Sequence, residues 1–169
     1  MNSKGDVYDF FYIIIAVFMF SISLYAGSKV WSSVDNTMSS GGFYNISGAE
    51  DAGVDVEAVA GQVTSTIGLM DYLFAFFFFG FFLSILISVF YLDTNAGFLL
   101  FAVLLFILVL FVGMIISDSF ASVVDNDELS SESSTFPITL HIMSNLPIYL
   151  LGMGSLFFVV LYTSRREGY

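Results

Sequence analysis

The chain has 169 residues, 57% of them hydrophobic, 18% aromatic and only 11% charged, against about 25% charged in an average soluble domain. Its 21 Phe exceed what a water-soluble core of this size can hide, and the lack of Cys excludes disulfides, thiolate metal ligands and a cysteine nucleophile. A net charge of −11, with fifteen acids against Lys4, Lys29, Arg165 and Arg166, argues against nucleic acid and favours a basic or salt-rich partner.

Four apolar runs, at about 10–27, 69–92, 98–117 and 142–163, approach the ~20 residues that a helix needs to cross a hydrocarbon layer. The expected fold is all-α. It is an integral membrane four-helix bundle in one domain, 1–169, with two acidic loops, about 28–68 and 118–141, on one face.

The first run is read as a span rather than a cleaved leader. Phe10 to Gly27 is longer than the usual leader core of about 7–15 residues, and its flank is acidic at Asp6 and Asp9. Beyond it, Ser32 to Tyr44, with repeated Ser and Gly41-Gly42, predicts an irregular connection. Asn45-Ile46-Ser47 has the pattern of a glycosylation acceptor. Ser47 and Glu50 have capping-box spacing, and Val56, Val59, Val63, Ile67 and Met70 recur at helical steps, so a helix is expected to run straight into the second span. Asp55 and Glu57 lie off that stripe and are expected to face water or a partner protein.

Asp71 sits at the start of the second span, where a carboxylate suits the helix dipole and reaches water; a proton or ion role is the sharper alternative. Gly80, Ser84 and Ser88 form a small-residue row for helix packing, within the bundle or between copies in a homo-oligomer. Asp93-Thr-Asn-Ala-Gly97 predicts a tight hairpin that makes the second and third helices neighbours.

In the second loop Asp125, Asp127, Glu128 and Glu132 lack the spacing of a calcium loop and are read as a solvated or partner-contacting surface. Ser134-Thr135-Phe136-Pro137 resembles a helix start, and Pro147, with Asn145 beside it, is expected to kink the fourth helix. The single His141 has no second His or Cys with which to build a metal site, and is read as interfacial. Gly152, Gly154 and Ser155 let another backbone approach. Tyr8, Phe10, Phe11, Tyr12, Trp31, Tyr72, Tyr91 and Tyr162 fall near span ends, as interfacial belts do.

Three basic residues flank the termini side of the spans and one the other, which predicts both termini in the cytoplasm or equivalent interior. No charged residue lies at mid-span, which weighs against a transporter, pump or voltage sensor. No paired carboxylates, nucleophile with base, or phosphate loop can be assembled, so neither an enzyme nor a cofactor is expected.

The general plan, with Phe136-Pro137, Asn145-Leu146-Pro147, an apolar run, Leu161-Tyr162 and Arg165-Arg166, resembles small multispan membrane proteins of tailless icosahedral prokaryotic viruses with an internal lipid membrane. That resemblance implies a structural role, in which a bundle in the virion membrane contacts capsid or vertex proteins through its acidic loops. The competing readings are a holin-like or channel-like pore and an auxiliary subunit of a cellular membrane complex.

Overall fold

Long apolar runs free of interior Pro satisfy every backbone amide within one helix, which is what a hydrocarbon environment demands. In the computed structural model, which describes residues 6–41, 55–89, 96–126 and 129–166, the described chain is accordingly almost all helix. The elements are α1 (Asp6–Ser40), α2 (Val56–Val89), α3 (Ala96–Val124), a 3₁₀ turn η1 (Ser130–Ser134), α4 (Pro137–Ser144) and α5 (Leu146–Arg166). Four of these helices, α1, α2, α3 and α5, are long and apolar enough to span a bilayer. Their outer faces carry Phe76, Leu100, Ile115 and Ile148, each about two-thirds exposed or more, a surface that lipid solvates and water does not. The protein is an integral membrane four-helix bundle.

The spans expected at 10–27, 69–92, 98–117 and 142–163 fall on these four helices, but two helices continue well past the apolar runs. α1 has 35 residues and α2 has 34, about 50 Å each at ~1.5 Å per residue, against a hydrocarbon layer about 30 Å thick. The irregular connection expected from Ser32 is instead helix as far as Ser40. The hydroxyls there turn back on their own helix: Ser33 donates to the Lys29 carbonyl, Thr37 to Ser33, Ser39 to Asn36 and Ser40 to Thr37. A Ser-rich stretch that bonds inward in this way leaves the helical ladder intact.

α2 runs unbroken from Val56 into its span, as the periodicity predicts, and its cap is Asp55, whose Oδ1 accepts the Ala58 amide at 2.9 Å. The Ser47–Glu50 box and Asn45 lie outside the described residues. The buried line of α2 passes through Ala60 rather than Val59, which is 52% exposed; Val56, Val63 and Ile67 flank that line, half-buried.

Around the bundle the order is α1, α2, α5, α3: α1 packs on α2 and α3, and α5 packs on α2 and α3. The second and third helices therefore sit on a diagonal, not side by side as the short connection suggested. The reason is reach. Neighbouring helices lie about 8–10 Å apart, which makes a diagonal about 13 Å. The link from Val89 to Ala96 can extend about 23 Å.

Where α3 meets α5 the fit is close. A Cβ added to Gly154 would run into the Phe106 ring, and one added to Gly113 would meet the Leu150 side chain. Phe106 also packs edge-on against Phe158, with ring centres 5.4 Å apart. At Gly154 it is thus a side chain, the Phe106 ring, that fills the space where another backbone was expected to approach, and Gly113 plays the same part, unforeseen, opposite Leu150. Gly80 and Gly152 have no neighbour at the Cβ position, Ser84 is exposed, and Ser155 is exposed with its hydroxyl on the Leu151 carbonyl. Among the described residues nothing lies at the Gly80 Cβ position and Ser84 is exposed, so this row is not where the described helices pack on one another; the Ser88 side chain lies outside the described residues.

The fourth membrane helix is interrupted as Pro147 predicts. α4 ends at Ser144, Asn145 breaks the run, and α5 starts at Leu146. Pro147 has no amide to offer, and Asn145 Nδ2 and its backbone amide both donate to the His141 carbonyl, at 2.9 and 3.2 Å. The Ser144 carbonyl is taken by the Ser117 hydroxyl from α3 at 2.9 Å.

Candidate functional site

The inner stripe of α1 changes character along its length. Ile14 and Val17, near the termini, give way to Ser21, Tyr25 and Ser28, all buried and spaced at helical steps. On α2 the corresponding buried line runs from Phe78 through Phe74 to Asp71. Ser21 bonds back to the Phe18 carbonyl of its own helix, whereas Tyr25, Ser28 and Asp71, at the end of the bundle away from the termini, converge on the 130–144 segment.

Asp71 is the centre of the cluster. It is 2% exposed and lies well inside α2, not at a water-accessible helix start. Its Oδ1 accepts the Thr139 amide and the Thr139 hydroxyl, each at 2.7 Å, and its Oδ2 accepts the Ile138 amide at 2.9 Å. The helix dipole that this carboxylate meets is that of α4, not that of α2. α4 has Phe136 at its N-cap, with no side-chain cap of its own, and Pro137 in the first turn. Its first-turn amides at Ile138 and Thr139, which have no acceptor within the helix, are met by a carboxylate 67 and 68 residues away in the chain. A buried carboxylate is costly unless every lone pair facing protein is met; here the positive end of a helix meets it.

Around that cap, the Tyr25 hydroxyl donates to the Phe136 carbonyl at 3.4 Å, and its ring packs on Phe120 and Phe136 with centres 5.6 and 5.3 Å away. Ser28 donates to Glu132 Oε2. Glu132 is only 6% exposed, so it is turned inward and does not stand on the partner-contacting surface expected of it. Its place on η1 aims it at α1, and a buried hydroxyl meets it there. Every buried side-chain N or O among the described residues has a partner.

Of the other expected contact residues, Asp55, Glu57 and Asp125 are exposed, while Asp127 and Glu128 lie outside the described residues. His141 is exposed on α4 with its ring edge-on to Tyr149, centres 6.2 Å apart. Among the described residues no three of His, Asp and Glu gather as a metal site.

Above the cluster α1 and α2 continue as an antiparallel pair. Past Ser28, α1 extends about 18 Å, and α2 covers about 22 Å between Val56 and Asp71. Trp31 Nε1 donates across the pair to Thr64 Oγ1 at 3.0 Å, and Thr64 passes its own proton to the Ala60 carbonyl at 3.1 Å. Below the cluster, Asp71 to Val89 measures about 27 Å, close to one hydrocarbon thickness. About one hydrocarbon thickness thus separates the polar cluster from the far end of α2, and the α1–α2 pair continues past the cluster as a stem.

Tyr25, Ser28, Ser117 and Thr139 were not singled out from sequence. The available signal was the continuation of the Ile14–Val17 spacing through Ser21, Tyr25 and Ser28, which places polar groups on a face that packing must bury. Comparisons of the chain with protein-family models, with curated proteins and with solved structures find no match.

Proposed function

We propose that the chain is a non-enzymatic structural protein of a membrane, which ties the bilayer to a partner protein through the stem and the acidic segments beside it. The observation that carries this reading is the helical continuation of α1 and α2 about 20 Å past the polar cluster, fixed by the Trp31–Thr64 bond. A span needs no such extension; a docking post does. Exposed Asp55 and Glu57 at the head of α2 and Asp125 beyond α3 lie on elements that end on the same side, which suits a basic or salt-bridged partner. The resemblance to small virion membrane proteins makes a capsid or vertex protein the partner of choice. On this reading the end that carries both termini, flanked by Lys4, Arg165 and Arg166, faces the cytoplasm or virion interior.

The test is carboxylate-directed crosslinking in the native membrane, followed by purification in mild detergent and mass spectrometry. Capsid-type proteins recovered in fixed stoichiometry, with crosslinks at Asp55, Glu57 or Asp125, support the reading. Recovery of the chain only as a self-associated ring overturns it and puts the pore in its place.

A further inference from the structure

α4 is poorly equipped to stand alone. It has 8 residues, against the ~12–15 that an isolated helix needs in water, and it is cut from α5 at Asn145. The directed bonds described between this segment and the rest of the bundle all come from other elements: Ser28 and Tyr25 from α1, Asp71 from α2 and Ser117 from α3. Asp71 alone makes three of them.

We propose that Asp71 is a proton-operated latch: its ionised carboxylate holds α4 closed on the bundle, and protonation frees α4 and η1 about the Asn145–Pro147 break while the four spans stay folded. The geometry gives the direction. All three groups bonded to Asp71 are donors, and Oδ1 already receives two of them. Two of the three are backbone amides that can only donate, and a proton added to the carboxyl removes the charge that strengthens both bonds; only the Thr139 hydroxyl can turn to accept that proton, and it then gives up its own bond to Oδ1. The ionised carboxylate therefore favours the closed state, and the protonated one disfavours it. Once uncapped, α4 is too short to persist as a helix.

The other titratable groups on the packed elements are differently engaged. Tyr25 of α1 donates its hydroxyl hydrogen to the Phe136 carbonyl. Lys29 of α1 is half-buried, Glu132 of η1 is held by Ser28, and His141 of α4 is exposed beside Tyr149 of α5. Tyr72 of α2 and Asp118 of α3 are exposed. The latch thus centres on a single carboxylate, with Glu132 as the second group to separate by mutation.

Hydrogen exchange of the full chain in lipid nanodiscs, followed by mass spectrometry from pH 8 to pH 3, tests this. The readout is protection of the 137–144 peptide relative to a peptide from the middle of α3, which cancels the intrinsic pH dependence. The expected result is a relative loss of about tenfold or more on acidification. Asp71→Asn should show that loss already at neutral pH with little further change, and Glu132→Gln should keep the wild-type pH response. Constant relative protection down to pH 3 overturns the proposal, as does parallel loss of protection in α3, which signals global unfolding. Wild-type protection of α4 in Asp71→Asn overturns it too. Should Asp71→Asn fail to fold, the wild-type titration and Glu132→Gln decide the matter.

Discussion

The two ends of this bundle are held together by different physics. Near the termini α1 buries Ile14 and Val17, and α3 and α5 interlock through Phe106, Gly154 and Phe158. At the other end α1 and α2 bury Ser28, Tyr25 and Asp71, each bonded to the 130–144 segment. Lipid solvates apolar side chains about as well as other apolar side chains do, so the first end depends on shape and close approach. The second depends on directed bonds to groups that hydrocarbon would not satisfy. A membrane bundle can thus be apolar where it meets lipid and polar where a non-spanning helix must be fixed in place.

The comparison breaks most readily at Asp71. Asp71→Ala leaves two amides and a hydroxyl buried without a partner, and is expected to cost about 3–5 kcal/mol. Reversible unfolding by SDS in mixed micelles measures it. A cost below that of removing one apolar ring, as in Phe78→Ala measured in parallel, would show that the polar end is not held as described.

At the apolar end the matching test is steric. Gly154→Val must displace the Phe106 ring and is expected to cost about 1–3 kcal/mol, whereas Gly80→Val, which meets nothing in the chain, should change monomer stability by less than about 0.5 kcal/mol. Equal effects of the two substitutions in the same SDS titration would overturn the assignment of inner and outer faces. Ser117→Ala sits between the two ends; loss of its bond to the Ser144 carbonyl at the helix break is expected to cost about 1 kcal/mol.

The four membrane helices were legible because their signal is composition over a long window, which needs no knowledge of partners. The break at Asn145–Pro147 was legible for the same local reason. What escaped was non-local. Asp71 looked like a helix-start carboxylate because its own neighbours in sequence are all that a sequence displays; its partners, Ile138 and Thr139, are 67 and 68 residues away. Glu132 looked like one of a run of surface acids until Ser28 was found opposite it. The diagonal placement of α2 and α3 escaped because a short connection limits distance without choosing a neighbour. In the α1 extension the Ser residues and Gly41-Gly42 point to an irregular connection, although within a helix the Ser and Thr hydroxyls bond to the preceding turn.

That extension supplies the smallest effect and the cleanest report on the stem. The chain has one Trp, and Trp31 Nε1 donates to Thr64 at a level where the helix pair is exposed. Thr64→Val keeps the shape and removes the acceptor. An exposed bond of this kind is worth about 0.5 kcal/mol or less, so global stability should hardly move. The indole N–H, however, is left to bond water, and Trp31 emission should shift to the red while helix content is unchanged. An unshifted spectrum would mean that α1 and α2 are not joined at this rung. A loss of helix content would mean that the rung carries the whole stem, and that α1 beyond Ser28 needs this one bond to remain folded.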